Sequence, residues 1–293
     1  ACLLAFVHAE TSTGAQSDAK TLVELAHKHD CLAIVDAVTS LAGTPLKVDE
    51  WGIDAIYSGS QKCLSSSPGL SPVSFSQRAA EKIKQRNTKV QSWFLDLNLV
   101  MGYWGGEGKR AYHHTAPVNC LYGLHESLVI VQEEGLEHAW SRHHKNHLAL
   151  RAGLEQMGID FIVPERDRLP QLNAVTIPQG VDDAGARTRL LNEFNLEIGA
   201  GLGGLAGKVW RIGLMGHAST QKNVDFCRRL LPVLRQPRSR CWSLSTRLTP
   251  LALSTPPVVS KTASSAWPVL PTSTNFCRHP SNLQSAITLK SAR

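Results

Sequence analysis

Residues 31–36 read CLAIVD, five apolar residues in succession closed by an acid, Asp36. An unbroken apolar run of strand length is the pattern of a buried strand, typical of parallel sheets whose two faces are both covered. Upstream of it, Ser17 and Asp18 offer caps for a helix whose apolar positions Leu22, Leu25 and Ala26 fall on one face. Ahead of that helix, CLLAFV (2–7) is a second apolar run, which ends in HAETSTG (8–14). Strand, helix and strand within about 35 residues make a βαβ unit and predict an α/β fold with a mainly parallel sheet.

Downstream, IDAIYS (53–58) reads as a further strand running straight into Ser-Gly-Ser-Gln-Lys, and PVSFS (72–76) as a short one. From Val118 to about Met157 the pattern turns helical, with Leu121, Leu124, Leu128, Val131 and Leu136 at helical spacing. A long helix in this place links two domains. Beyond it FIVP (161–164), NAVTIP (173–178), LEIG (196–199) and KVWRIGLM (208–215) read as strands, with helices near 183–194 and 220–234. The expected organisation is a large-domain portion over 1–137 and a smaller C-terminal α/β domain over 138–236. No internal repeat is visible.

Residues 237–293 differ in kind. They hold seven of the fifteen prolines, 18 Ser or Thr, seven Lys or Arg and no acid. Such a composition cannot offset its ordering entropy, so a disordered tail is expected. The tail also carries the whole formal charge of +7, since residues 1–236 contain 24 basic and 24 acidic residues. A neutral folded region leaves no basic stripe for a phosphate backbone, which argues against nucleic-acid binding. The apolar runs are short and interrupted, so no membrane span is expected. The chain starts at Ala1 with no basic leader ahead of CLLAFV, which reads as a start inside a fold rather than a signal peptide. Seven cysteines, at 2, 31, 63, 120, 227, 241 and 277, show no zinc or redox spacing and fit a reducing, intracellular compartment.

Ligands of open α/β sheets collect outside the carboxyl ends of the strands, and Asp36 and Lys62 both sit just past such ends. An acid beside a pyridine nitrogen and an amine able to form an imine are what pyridoxal phosphate requires. Spacing alone favours exposed loop charges over that chemistry. Arg211 is a second candidate. In VWRIGLM, alternation sets Trp210, Ile212 and Leu214 on one face and Val209, Arg211 and Gly213 on the other. An arginine in an apolar strand needs a partner, and either a structural salt bridge or a bidentate substrate carboxylate supplies one.

Three features are set aside. GAGLGG (199–204) matches GxGxxG, but a strand rather than a helix follows it, so no helix N-terminus awaits a pyrophosphate. His143 and His147 lie four apart on a helix, but no third ligand is evident and a solvated face is the expectation, with no metal. Trp51, Trp93 and Trp104 read as core or interface anchors.

HAETSTG at 8–14, VDAVTSLAGTPL at 35–46, IYSGSQKCLSSSPG at 56–69, YHHTAPV at 112–118 and KVWRIGLMG at 208–216 occur in this order and at these spacings. Together they closely resemble the alanine–glyoxylate (serine–pyruvate) aminotransferases, a class V branch of the fold type I pyridoxal-phosphate enzymes, over roughly residues 1–236. Related cysteine desulfurases usually place a histidine before the reactive lysine, where this chain has Gln61. The resemblance implies pyridoxal 5'-phosphate as cofactor and transfer of an amino group from alanine or serine to a 2-oxo acid such as glyoxylate or pyruvate. It implies that Lys62 forms the Schiff base and moves the proton, Asp36 pairs with the pyridinium, and Val38 packs on the ring. It further implies that Thr11 bonds the ring oxygen, Gln61 helps hold the phosphate, and Arg211 anchors the substrate carboxylate. Tyr112 and Thr115 match residues that reach the phosphate of the neighbouring subunit, which implies a homodimer with shared sites.

The family's chains also carry a long segment ahead of the point where this one begins, including a phosphate-gripping loop and an aromatic residue that stacks on the ring. Two other readings therefore stand beside an active enzyme: a catalytically silent truncated subunit, and another class V activity such as a desulfurase, for which Cys63 is badly placed. Peroxisomal members end close to Ser-Lys-Leu, whereas this chain ends Ser-Ala-Arg. A peroxisomal or mitochondrial location thus rests on the resemblance alone.

Overall fold

A computed structural model describes residues 2–104 and 111–230. The expected disordered tail, and residues 231–236 of the expected small domain, lie outside the described residues. The chain opens with β1 (Leu3–Val7), a short hairpin of β2 (Ala9–Glu10) and β3 (Ala15–Gln16), then α1 (Ala19–Lys28) and β4 (Leu32–Asp36). Asp18 caps α1 as expected, its carboxylate accepting from the N–H of Thr21 at 3.1 Å and from the Thr21 hydroxyl at 2.7 Å. Next come β5 (Ala55–Tyr57), β6 (Val73–Phe75), α2 (Gln77–Lys84) and α3 (Leu97–Trp104).

β1, β4 and β5 run parallel, and β6 closes the edge antiparallel, giving the order β1-β4-β5-β6. The βαβ expectation from CLAIVD holds. One face of the sheet is sealed by α1: Val23 and Ala26 pack with Ala33, Val35, Ala37, Ile53 and Ile56. The opposite side of β4, which carries Leu32, Ile34 and Asp36, is only half-buried. The sheet is pinned from below by Asp54, 2% exposed, whose carboxylate accepts from the Ala33 N–H and is bonded by His27 and the Ser76 hydroxyl, each at 2.9 Å.

The helical stretch expected over 118–157 is two helices, α4 (Val118–Glu134) and α5 (Leu136–Gln156). Gly135, at φ +83, breaks them apart in a conformation that suits a residue without a Cβ. The break explains why Leu124, Leu128 and Val131 pack inward while Leu136 is exposed.

The second sheet is antiparallel, ordered β7-β9-β8, with β7 (Leu172–Thr176), α6 (Asp183–Phe194), β8 (Gly199–Ala200), β9 (Val209–Gly213) and α7 (Gln221–Leu230). The alternation read in VWRIGLM is realised: Trp210, Ile212 and Leu214 face a core built by Leu150 and Leu154 of α5, Leu190 of α6 and Val224 of α7. Two strand expectations fail. FIVP is not a strand: only Phe161 bridges to Val175, and Pro164 leads into a short turn of 3-10 helix. In LEIG only Gly199 joins the sheet, opposite Arg211. Among the described residues no helix is long and apolar enough to cross a membrane.

Candidate active site

Parallel register sets Val7, Asp36 and Tyr57 side by side at the carboxyl end of the first sheet. The ladder extends one step further, with the His8 N–H on the Asp36 carbonyl at 2.9 Å and the Ala37 N–H on the Tyr57 carbonyl at 2.8 Å. This is the edge where open α/β sheets bind ligands. The side chain of Asp36 accepts from the Val38 N–H at 2.9 Å and from the Tyr57 hydroxyl at 2.8 Å. Both bonds fix the carboxylate, yet it pairs with no cation among the described residues. The Tyr57 phenol is held above its usual range, first by its bond to Asp36 and then by burial. Tyr57 was not singled out from sequence, because its register opposite Asp36 is a property of the sheet.

Past β5 the small residues of YSGSQKCLSSSPG tie the loop to itself. Ser60 donates its hydroxyl to the Ser67 carbonyl at 2.6 Å and its N–H to the Leu70 carbonyl at 3.1 Å, while its own carbonyl takes the Ser66 N–H. Lys62 is half-buried in a turn closed by the Ser65 N–H on its carbonyl at 3.0 Å, with Ser65 at φ +59. A Cβ on Gly59 would stand 2.8 Å from the Gln61 amide oxygen and 3.3 Å from Val38, so this glycine lets Gln61 and Val38 converge. Beneath the turn, Cys63 and Leu64 are buried against Leu124 of α4. Burial pushes the Cys63 thiol up to about 12. A thiol 3% exposed beneath the lysine turn is badly placed to move as a nucleophile.

Arg211 is brought to Thr11. Its Nη1 donates to the Thr11 carbonyl at 3.0 Å across 200 residues of sequence, and its Nε donates to the Ala200 carbonyl at 2.7 Å. No carboxylate of the described residues pairs with it. These two carbonyls account for two of the five guanidinium donors, and among the described residues no carboxylate balances its charge. Tyr112 and Thr115 bond each other through their hydroxyls; Tyr112 is 71% exposed and edges the ring of Tyr103. Thus Asp36, Val38, Gln61 and Lys62 share one end of the sheet, Arg211 reaches it through Thr11, and Tyr112 and Thr115 form a separate exposed pair.

The histidine expectation is overturned. His143 and His147 are 1% and 5% exposed, not on a solvated face. Each is satisfied: His143 donates Nδ1–H to the Ala139 carbonyl at 2.6 Å and its Nε2 accepts from the Gly216 N–H at 2.9 Å, while His147 Nδ1 bonds the Asn173 side chain at 2.6 Å. They belong to the stripe Ala139, His143, His147, Leu150 and Leu154, a helical spacing visible in the sequence. No cluster suited to a metal occurs among the described residues. His113 was also passed over; it is 4% exposed, stacked on Trp93 with centroids 4.0 Å apart. GAGLGG ends in a single turn, Gly203–Leu205, and β9 rather than a helix follows, as expected.

The sequence profile of the family described as "Aminotransferase class-V" matches residues 1–226. Among curated proteins, the chain is 42% identical over 241 residues to the alanine–glyoxylate aminotransferase of Rattus norvegicus, covering 82% of this chain and 58% of that one. It is 38% identical to the (S)-ureidoglycine–glyoxylate transaminase of Bacillus subtilis, with 76% and 58% covered. Among solved structures, the alanine–glyoxylate aminotransferase from Nostoc sp. superposes with a TM-score of 0.77 at 49% identity, covering 80% of this chain and 62% of that one. The chain therefore spans less than two thirds of the length of these relatives.

Proposed function

Since the chain belongs to the class-V aminotransferase family, we propose that it serves pyridoxal-phosphate-dependent transfer of an amino group from a small amino acid, alanine or serine, to a 2-oxo acid such as glyoxylate or pyruvate. The observation that carries the reading is Asp36: a carboxylate fixed by two donors, free of any described cation, at the carboxyl end of a central strand and next to the strand that leads to Lys62. The donor set fits the cofactor. Asp36 would accept from a protonated ring nitrogen, Val38 would cover a ring face, Thr11 would bond the ring oxygen, and Gln61 would contribute to holding the phosphate. When bound, the cofactor supplies an electron sink for the charge left at a substrate's α-carbon.

Every other role falls to the chain. Lys62 would hold the cofactor through Nζ and, once its amine is released by the incoming substrate, would move a proton at the substrate α-carbon. Arg211 offers its free donors to the substrate carboxylate, in the bidentate mode that suits a planar fork. The exposed Tyr112–Thr115 pair supports a homodimer in which each subunit's hydroxyls reach the other's phosphate. The five described cysteines are free thiols, which supports a reducing intracellular compartment; a peroxisome or mitochondrion follows from the resemblance alone.

The test is spectroscopic. The purified chain with excess pyridoxal phosphate should develop a visible absorbance band that Lys62→Ala abolishes. Borohydride reduction should leave the cofactor's mass on the peptide carrying Lys62, and alanine should discharge the band. No band, with circular dichroism showing a folded protein, overturns the reading for this chain.

A further inference from the structure

The most constrained backbone position between the two sheets is Gly216, just past β9. Its φ is +56, and a Cβ there would stand 2.0 Å from the Ser65 hydroxyl and 2.7 Å from the Cys63 carbonyl. The turn after Lys62 is thus packed directly on Gly216, and the next residue, His217, donates its N–H to the Ser65 hydroxyl at 2.8 Å. From the other side α5 holds the same glycine. The Gly216 N–H donates to His143 Nε2 at 2.9 Å, and the Gly216 carbonyl accepts from Arg142 Nη1 at 2.8 Å. Arg142 is itself fixed by a two-pronged pair with Glu134 at the end of α4 and by the Ser219 carbonyl.

The tautomer of His143 follows from its partners. A carbonyl only accepts, so Nδ1 carries the proton given to Ala139, and Nε2 keeps the lone pair that takes the Gly216 N–H. Only one ring form makes both bonds. Gly216 lies five residues beyond Arg211 and rests on the turn that carries Lys62.

We propose that His143 is a positioning residue: by holding Gly216 it seats the Lys62 turn against the strand that carries Arg211, and so sets the separation between the amine and the carboxylate anchor. The consequence for substrate binding rests on the transamination reading, whereas the packing itself does not.

Two cysteines give a test that needs no cofactor. Cys63 lies under the turn and Cys227 in the core of the second sheet; each is 3% exposed, and burial pushes each thiol up to about 12. Alkylation of the purified chain at fixed pH, followed by peptide mass spectrometry, reports both sites at once. Loss of one buried hydrogen bond should ease local opening roughly tenfold. The expected result is Cys63 labelling about tenfold faster in His143→Leu, with Cys227 unchanged and with His143→Gln, which keeps an acceptor, returning towards the parent rate. Gly216→Ala should act in the same direction as His143→Leu. Equal acceleration at both cysteines, or at neither, overturns the proposal. In the loaded enzyme His143→Leu should raise KM for the amino acid about tenfold and lower kcat as well, because the carboxylate anchor and the turn that carries the amine lose their fixed separation. An inactive parent chain that still shows the Cys63-selective labelling counts against transamination and leaves the packing role standing.

Discussion

Tyr57 donates its hydroxyl to Asp36 Oδ2 at 2.8 Å, across neighbouring parallel strands and at the edge where the ladder ends. With the Val38 N–H on Oδ1, it leaves the carboxylate no freedom to rotate. Tyr57→Phe removes that restraint without changing the ring's bulk. Titration calorimetry with pyridoxal phosphate should show binding weakened about tenfold, since a hydrogen bond to a charged group contributes about 1.5–3 kcal/mol. Unchanged affinity would mean that the acid is oriented by the Val38 N–H alone. The same pair predicts that Tyr57 titrates later than an unperturbed tyrosine, a raised phenol whose stabilising effect is present below pH 10 and lost as pH rises beyond it. The absorbance difference between the parent and Tyr57→Phe checks this.

Arg211 spends two of its donors on the Ala200 and Thr11 carbonyls. Lysine cannot reproduce a fork that grips two backbone carbonyls and a carboxylate together. Arg211→Lys should therefore raise KM for the amino donor by about thirtyfold or more, the equivalent of about 2 kcal/mol of charge-assisted bonding. Cofactor affinity should stay within about threefold, because Arg211 is assigned to the substrate and not to the ring. A change in cofactor affinity alone would reassign it.

The parts of this fold that were legible in the sequence are those decided locally. CLAIVD, the Asp18 cap and the alternation through Trp210 each follow from neighbours a few residues away. What was not legible depends on register and on tertiary burial. Tyr57 meets Asp36 only because β4 and β5 pair as they do. Asp54 carries no motif, yet it bonds three elements. His143 and His147 read as polar, and only the leucines further along α5 marked their face as the buried one. FIVP has the composition of a strand but only one bridge to β7, and Pro164 begins a turn.

Asp54 predicts the largest single loss of stability in the first sheet. Burial works to raise its carboxyl, but the Ala33 N–H, His27 and Ser76 more than offset it and hold the group below the usual range. Its charge is therefore part of the folded state. Asp54→Ala strands three donors and should cost about 3–5 kcal/mol, read from urea unfolding. A depressed carboxyl contributes stability above the unfolded value near 4 that is lost as pH falls through the folded value. Below that range the parent and Asp54→Ala should converge.

The buried histidines set a second and separate pH window. Burial lowers His8 to about 4, only partly opposed by the charge of Asp18, and burial likewise lowers His143 and His147. In each case the unfolded chain binds a proton more readily than the folded one, so stability rises with pH wherever the unfolded histidine is still charged. The stabilising effect is complete above pH 6.5 and erodes as pH falls from there; for His8 the erosion continues to about 4, where the folded ring itself protonates. From 6.5 to about 4 the upper limit for His8 is roughly 3 kcal/mol. The urea midpoint of the parent should therefore fall between pH 7 and pH 5. His8→Gln should flatten that fall while lowering stability at pH 7, because it exchanges a well-packed neutral ring, edge-on to Trp51, for a flexible amide. A midpoint independent of pH over this interval would show that the folded histidines are not held neutral.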